Sequence, residues 1–155
     1  MLAHLRIMSV INLFTSMNTT RIAEFANLPR TTNNAEILEL SQVGLIRESE
    51  RSTPHMTYWE LTPMGIELLE TYRRLLPEYS QISINTLKES NRENCFKIIN
   101  ALKDSEKTKK TLFEQLGIAN KELELCLTFL LRTGYLQLDE SNDTLYYKLN
   151  PNMVQ

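Results

Sequence analysis

Apolar residues at positions 7, 10, 11 and 14 follow the i, i+3, i+4, i+7 spacing of an amphipathic helix, which predicts a first helix from Leu2 to Phe14. Asn18 or Thr19 offers a short side-chain oxygen to cap a second helix running to about Asn27. Leu28-Pro29 ends it, because the residue before a proline is pushed out of the helical region. A third helix is expected from Thr31 or Thr32 to Val43, stopped at Gly44, where a left-handed residue costs least. Residues 45–49 and 57–61 then alternate as two strands joined by the polar stretch Glu50 to Met56. Thr62-Pro63 starts a fourth helix that ends near Leu76-Pro77.

The same order returns further along. Gly44-Leu45-Ile46 matches Gly134-Tyr135-Leu136, and Tyr58-Trp59-Glu60-Leu61 matches Tyr146-Tyr147-Lys148-Leu149, at an offset of about 90 residues. Ile22, Ala26 and Leu28 likewise correspond to Leu112, Leu116 and Ile118. Helices are expected around 91–103, 108–116 and from 119 or 120 to 133, followed by strands 135–139 and 144–149 about the turn Glu140 to Asp143. The expected organisation is a first domain over 1–76 with an extra C-terminal helix, a linker over 77–90, a second domain over 91–150 and a frayed tail over 151–155.

Composition narrows the class. The 155 residues are 42% hydrophobic and 23% charged, enough to bury a core, and four Gly with five Pro favour helices over a many-turned β-sandwich. The fold class is therefore mainly α with small β-hairpins, an α+β arrangement. No apolar run approaches the roughly 20 residues of a membrane span, and the N-terminal stretch lacks the form of a signal peptide, so a cytoplasmic protein without membrane contact is expected. Cys95 and Cys126 sit in helical apolar patterns and read as buried, inert thiols. His4 and His55 have no partner at ligand spacing, so no metal site is expected, and no cofactor is called for. The chain carries no phosphate-cradling glycine loop, nucleophile elbow or clustered His and Asp, so no catalytic residues are assigned and an enzyme is not expected.

Three helices closed by a two-stranded hairpin is the winged helix-turn-helix arrangement. Ile37-x-x-Leu40-x-x-Val43-Gly44-Leu45-Ile46 resembles the end of a recognition helix and the first wing strand. Tyr58-Trp59-Glu60-Leu61-Thr62-Pro63-Met64-Gly65-Ile66-Glu67-Leu68-Leu69 is similar to the second wing strand and following helix of multiple-antibiotic-resistance-type and related archaeal transcription regulators. The resemblance spans nearly the whole chain as a tandem of two winged-helix domains. It implies duplex DNA as partner, a homodimer, and a third helix that meets the major groove by its N-terminal part.

That helix begins with Arg30, Thr31, Thr32, Asn33 and Asn34, whose amide and hydroxyl groups suit base edges and whose guanidinium suits phosphate or guanine. The alternative is that Thr32 and Asn33 merely cap the helix. Arg47 and Arg51 lie in the wing, and every one of the seven Lys or Arg residues before position 81 is Arg. Opposing this, the net charge is −2, and Glu36, Glu39, Glu48 and Glu50 repel a phosphate backbone. Arg74 is expected to pair with Glu70 one helical turn away.

The second copy differs. At about 100° per residue, Leu125 and Phe129 fall opposite the face formed by Leu123, Cys126, Leu127, Leu130 and Leu131. These two are expected to pack on the first domain, a second subunit or a partner. The leading expectation is a DNA-binding transcription regulator whose first domain reads duplex DNA and whose second mediates assembly. The rival is a tandem winged-helix scaffold that binds only protein.

Overall fold

The computed structural model of the chain describes residues 2–79 and 82–153. Met1, Ser80 and Gln81 of the expected linker, and Val154 and Gln155 of the expected tail, lie outside the described residues. The chain divides into two compact units, Met1–Lys88 and Glu89–Gln155. Each is a small α+β unit of helices with an antiparallel sheet.

In the first unit, helices α1 (Ala3–Phe14), α2 (Thr19–Ala26) and α3 (Arg30–Gln42) precede strands β2 (Ile46–Glu48) and β3 (Tyr58–Leu61) and helix α4 (Pro63–Leu75). A further strand, β1 (Ser16–Asn18), sits between α1 and α2 and pairs antiparallel with β3, giving the sheet order β1-β3-β2. Three residues are too few for alternation to register, so the sequence does not reveal β1. The core is built from the inward faces of the helices: Leu5, Ile7, Met8, Ile11, Ile22 and Phe25 are all essentially inaccessible. The rings of Phe14 and Phe25 meet edge to face at 5.0 Å.

Local chemistry sets the element ends. Asn18 caps α2, its side chain accepting from the Arg21 amide at 2.9 Å. The helix ends at Ala26, one residue short of the expected Asn27, because Asn27 takes the left-handed conformation (φ 53°) and its N–H returns to the Ala23 and Glu24 carbonyls. Helix α3 starts at Arg30, earlier than Thr31 or Thr32, because the fixed φ of Pro29 (−57°) places it as N-cap. Thr62 caps α4, accepting from the Gly65 amide and donating to the Gly44 carbonyl at 2.6 Å. Gly65 is required by packing, since a Cβ there would stand 2.1 Å from the Leu45 carbonyl oxygen.

Part of the stretch read as linker is folded. A 3₁₀ turn at Ile84–Thr86 carries a Ser83/Thr86 capping box, and Ile84 and Leu87 are buried. Arg6 donates to the Thr86 carbonyl at 3.2 Å, and burial lowers the pKa of its guanidinium.

The second unit consists of α5 (Glu89–Ala101), α6 (Lys109–Leu116), α7 (Asn120–Arg132) and the hairpin β4 (Leu136–Ser141) and β5 (Thr144–Leu149). The hairpin turns through Asn142 and Asp143, both at positive φ, as a two-residue turn between twisted strands requires. Lys107 exchanges both backbone hydrogen bonds with Tyr147, adding a one-residue rung where the first unit has β1. Helices α2 and α6 are each 8 residues long and α3 and α7 each 13, with starts separated by the same 90 positions.

Candidate nucleic-acid interface

The N-terminal turn of α3 is the most polar exposed helix start in the first unit. Arg30, Thr31, Thr32 and Asn34 are all exposed. Pro29 supplies no side-chain cap, and the first α3 amide with a helical acceptor in this turn is that of Asn33, bonded to the Pro29 carbonyl at 2.9 Å. The amides of Arg30, Thr31 and Thr32 therefore point out of the helix without helical acceptors. Thr32 and Asn33 do not cap this helix.

Asn33 departs from the expectation that it meets a base edge. It is fully buried; its Nδ2 donates to the Thr19 carbonyl at 3.1 Å, and its Oδ1 accepts no hydrogen bond. Thr19 is a hub. Its hydroxyl accepts from the indole of Trp59 at 2.9 Å, and its amide donates to the Thr57 carbonyl at 3.2 Å. The start of α2, the start of α3 and the wing strand β3 thus meet at one residue.

Both wing arginines are engaged within the protein. Arg47 faces Glu60 across the β2/β3 pair, with Nε 3.5 Å from the carboxylate and more than half its side chain exposed. Arg51 donates to Ser16 Oγ at 2.9 Å, and its guanidinium lies 4.4 Å from the centre of the Tyr58 ring. These contacts fasten the wing loop to β1 and β3. Arg74, by contrast, does not pair with Glu70: the i, i+4 bridge is absent among the described residues.

A cavity of about 870 Å³ lies between α2, the turn before α3 and the tip of the wing. Arg30, His55 and Lys88 reach it from three different elements, and none makes a hydrogen bond or ion pair among the described residues. Its one carboxylate, Glu24, is paired with Arg21 at 2.9 Å. Sequence reasoning missed His55 and Lys88, since neither belongs to the helix-turn-helix. The anchoring of Lys88 by its buried neighbour Leu87 has no local signature beyond one apolar residue in a polar stretch.

The corresponding place in the second unit is built differently. Lys109 and Glu124, the counterparts of Thr19 and Asn34 at the 90-residue offset, form an ion pair, and Leu123 fills the position of Asn33. Burial raises the pKa of the nearby Tyr147 phenol, against the pull of Lys109. Of the two apolar residues expected at an interface, Leu125 is half-buried, but Phe129 is completely buried within the single chain. The buried sector of α7 is wider than a strict stripe and takes in Phe129 beside Cys126 and Leu130.

Among the described residues, no three His, Cys, Asp or Glu side chains gather as a metal site, and no helix is long and apolar enough to cross a membrane. No protein-family model matches the chain, and no curated protein matches it in sequence. Among solved structures, the zinc-responsive MarR family member ZitR of Lactococcus lactis is similar at 16% identity and a TM-score of 0.38, over 66% of this chain and 73% of that one. A doubly substituted form of ZitR gives 16% identity and a TM-score of 0.40, over 67% and 74%. A Corynebacterium diphtheriae protein matches 94% of this chain but 26% of its own, at 14% identity and a TM-score of 0.31. The first unit's helix order and strand pairing are those of an α+β fold like a winged helix.

Proposed function

We propose that the protein is a cytoplasmic transcription regulator of two winged-helix domains, in which the first binds double-stranded DNA and the second mediates assembly into a homodimer. The observation that carries this reading is the N-terminal turn of α3, where three amides without helical acceptors and four exposed polar side chains stand beside a cationic cavity. Helix N-termini of this kind hold phosphate, and Arg30, Thr31, Thr32 and Asn34 reach base edges or the backbone from the same turn. Asn33 orients that turn from beneath, and Arg51 orients the wing. A dimer would present two such turns to successive half-sites, compensating for the weak overall field of an acidic chain.

A salt titration of duplex binding, followed by fluorescence anisotropy, tests the reading. Affinity should fall linearly on logarithmic axes as salt rises, and Arg30→Ala should flatten the slope by about one. Absence of duplex binding even at low salt would overturn it.

The second reading is a scaffold that binds protein alone. It is favoured by exposed Phe96, Phe113, Leu138 and Leu145 on the second unit, together with the net charge of −2. The same titration separates the two.

A further inference from the structure

We propose that the cavity between α2, the α3 N-terminus and the wing tip is a binding site for a nucleoside phosphate. Free nucleotide and a nucleotide unit of a DNA strand share this chemistry. The assignment of a site stands by itself; only the competition described below rests on the duplex-binding reading.

Two demands are written into the walls. The first is negative charge: Arg30 and Lys88 line the cavity together with His55, none with a hydrogen bond or ion pair among the described residues, and the single carboxylate is already paired with Arg21. The α3 amides at the rim add partial positive charge. The second is an apolar body, because Leu28, Pro29 and Met56 supply apolar wall beside Arg30 and Lys88. Inorganic phosphate meets only the first demand. A nucleoside monophosphate meets both, with its phosphate and the faces of its base. A cavity of about 870 Å³ is large enough for such a ligand.

The second unit supplies the contrast. There the ion pair of Lys109 and Glu124 occupies the corresponding place. The open, cationic version occurs in the first unit, where it shares Arg30 and Asn34 with the face assigned to DNA. Occupancy by a free nucleotide should therefore displace duplex.

The protein has one tryptophan, Trp59, whose indole is bonded to Thr19 on the cavity wall, so its emission reports directly on the site. Adenosine monophosphate and inorganic phosphate, each titrated to about 10 mM into the full chain, are the probes, with calorimetry in parallel. Saturable binding of the nucleotide is expected, weakened about tenfold by Arg30→Ala or Lys88→Ala and unchanged by Arg74→Ala, an exposed arginine outside the cavity. Phosphate alone should bind far more weakly. No saturable nucleotide signal, or one indifferent to Arg30 and Lys88, overturns the site, whether or not duplex binds. Nucleotide binding without any duplex binding would uphold the site while removing the regulator reading. Nucleotide and duplex binding together without competition would overturn the shared face.

Discussion

Asn33 shows how a single side chain can be misplaced from sequence and still matter. Its polarity in a Thr-Thr-Asn-Asn run suggested a surface group, yet the fold turns it inward, where half of its carboxamide is satisfied and half is not. The counterpart in the second unit is Leu123, fully buried. Replacement of Asn33 by leucine should therefore remove the orphaned acceptor and raise stability by up to about 1 kcal/mol. Urea denaturation followed by Trp59 emission checks this; a lowered midpoint would show that the Thr19 carbonyl depends on the lost amide. Gly65 gives the opposite sign. Because a methyl group there would collide with the Leu45 backbone rather than with a movable side chain, Gly65→Ala should cost about 2–3 kcal/mol, read as a drop in the urea midpoint.

At the scale of elements, most boundaries were legible because each is written locally: an Asn or Thr cap, a proline at the first helical position, a glycine past the last turn. What escaped was set by long-range pairing. Strand β1 exists because β3 offers it an edge, and the wing loop is fixed because Arg51 reaches back 35 residues to Ser16. Arg51 is thus a fastener, and its guanidinium is half spent before any phosphate arrives. Arg51→Ala should leave the salt slope of duplex binding nearly unchanged while speeding amide exchange across residues 49–57, whereas a slope reduced as much as by Arg30→Ala would return Arg51 to the phosphate contacts.

The packing of α5 on α7 makes a second prediction at this scale. Cys95 and Cys126 are both fully buried, and a hydrogen bond to the Cys126 thiol, with burial, holds the Cys95 thiol far above its ordinary pKa. Tyr147 is raised as well, chiefly by burial. In both cases the folded state favours the neutral form, so the unfolded chain ionises first and binds fewer protons. Stability from these groups is complete below their unfolded pKa values and falls as pH rises beyond about 9. Urea midpoints measured on the alkaline side should decline, and the two thiols should react with a thiol reagent only on unfolding.

For the whole molecule, the order of helices and strands is the part most legible in the sequence, since apolar anchors 90 residues apart in the helices and 88 apart in the last strand fall in matching elements of the two units. The division of surface chemistry was harder to see. Helical-wheel angles put Leu125 and Phe129 together on an outer face, but the burial of α7 separates them. Their variants should now behave differently. Phe129→Glu places a charge in a fully buried position and should cost about 4 kcal/mol or more, unfolding the second unit whatever the oligomeric state. Leu125→Glu touches a half-buried position and should leave the thermal transition almost in place. If the second unit mediates assembly through this helix, Leu125→Glu alone lowers the mass measured by light scattering while the chain stays folded. A folded variant of unchanged mass would move the contact away from Leu125, toward the exposed rings of Phe96 and Phe113 or the hairpin leucines Leu138 and Leu145.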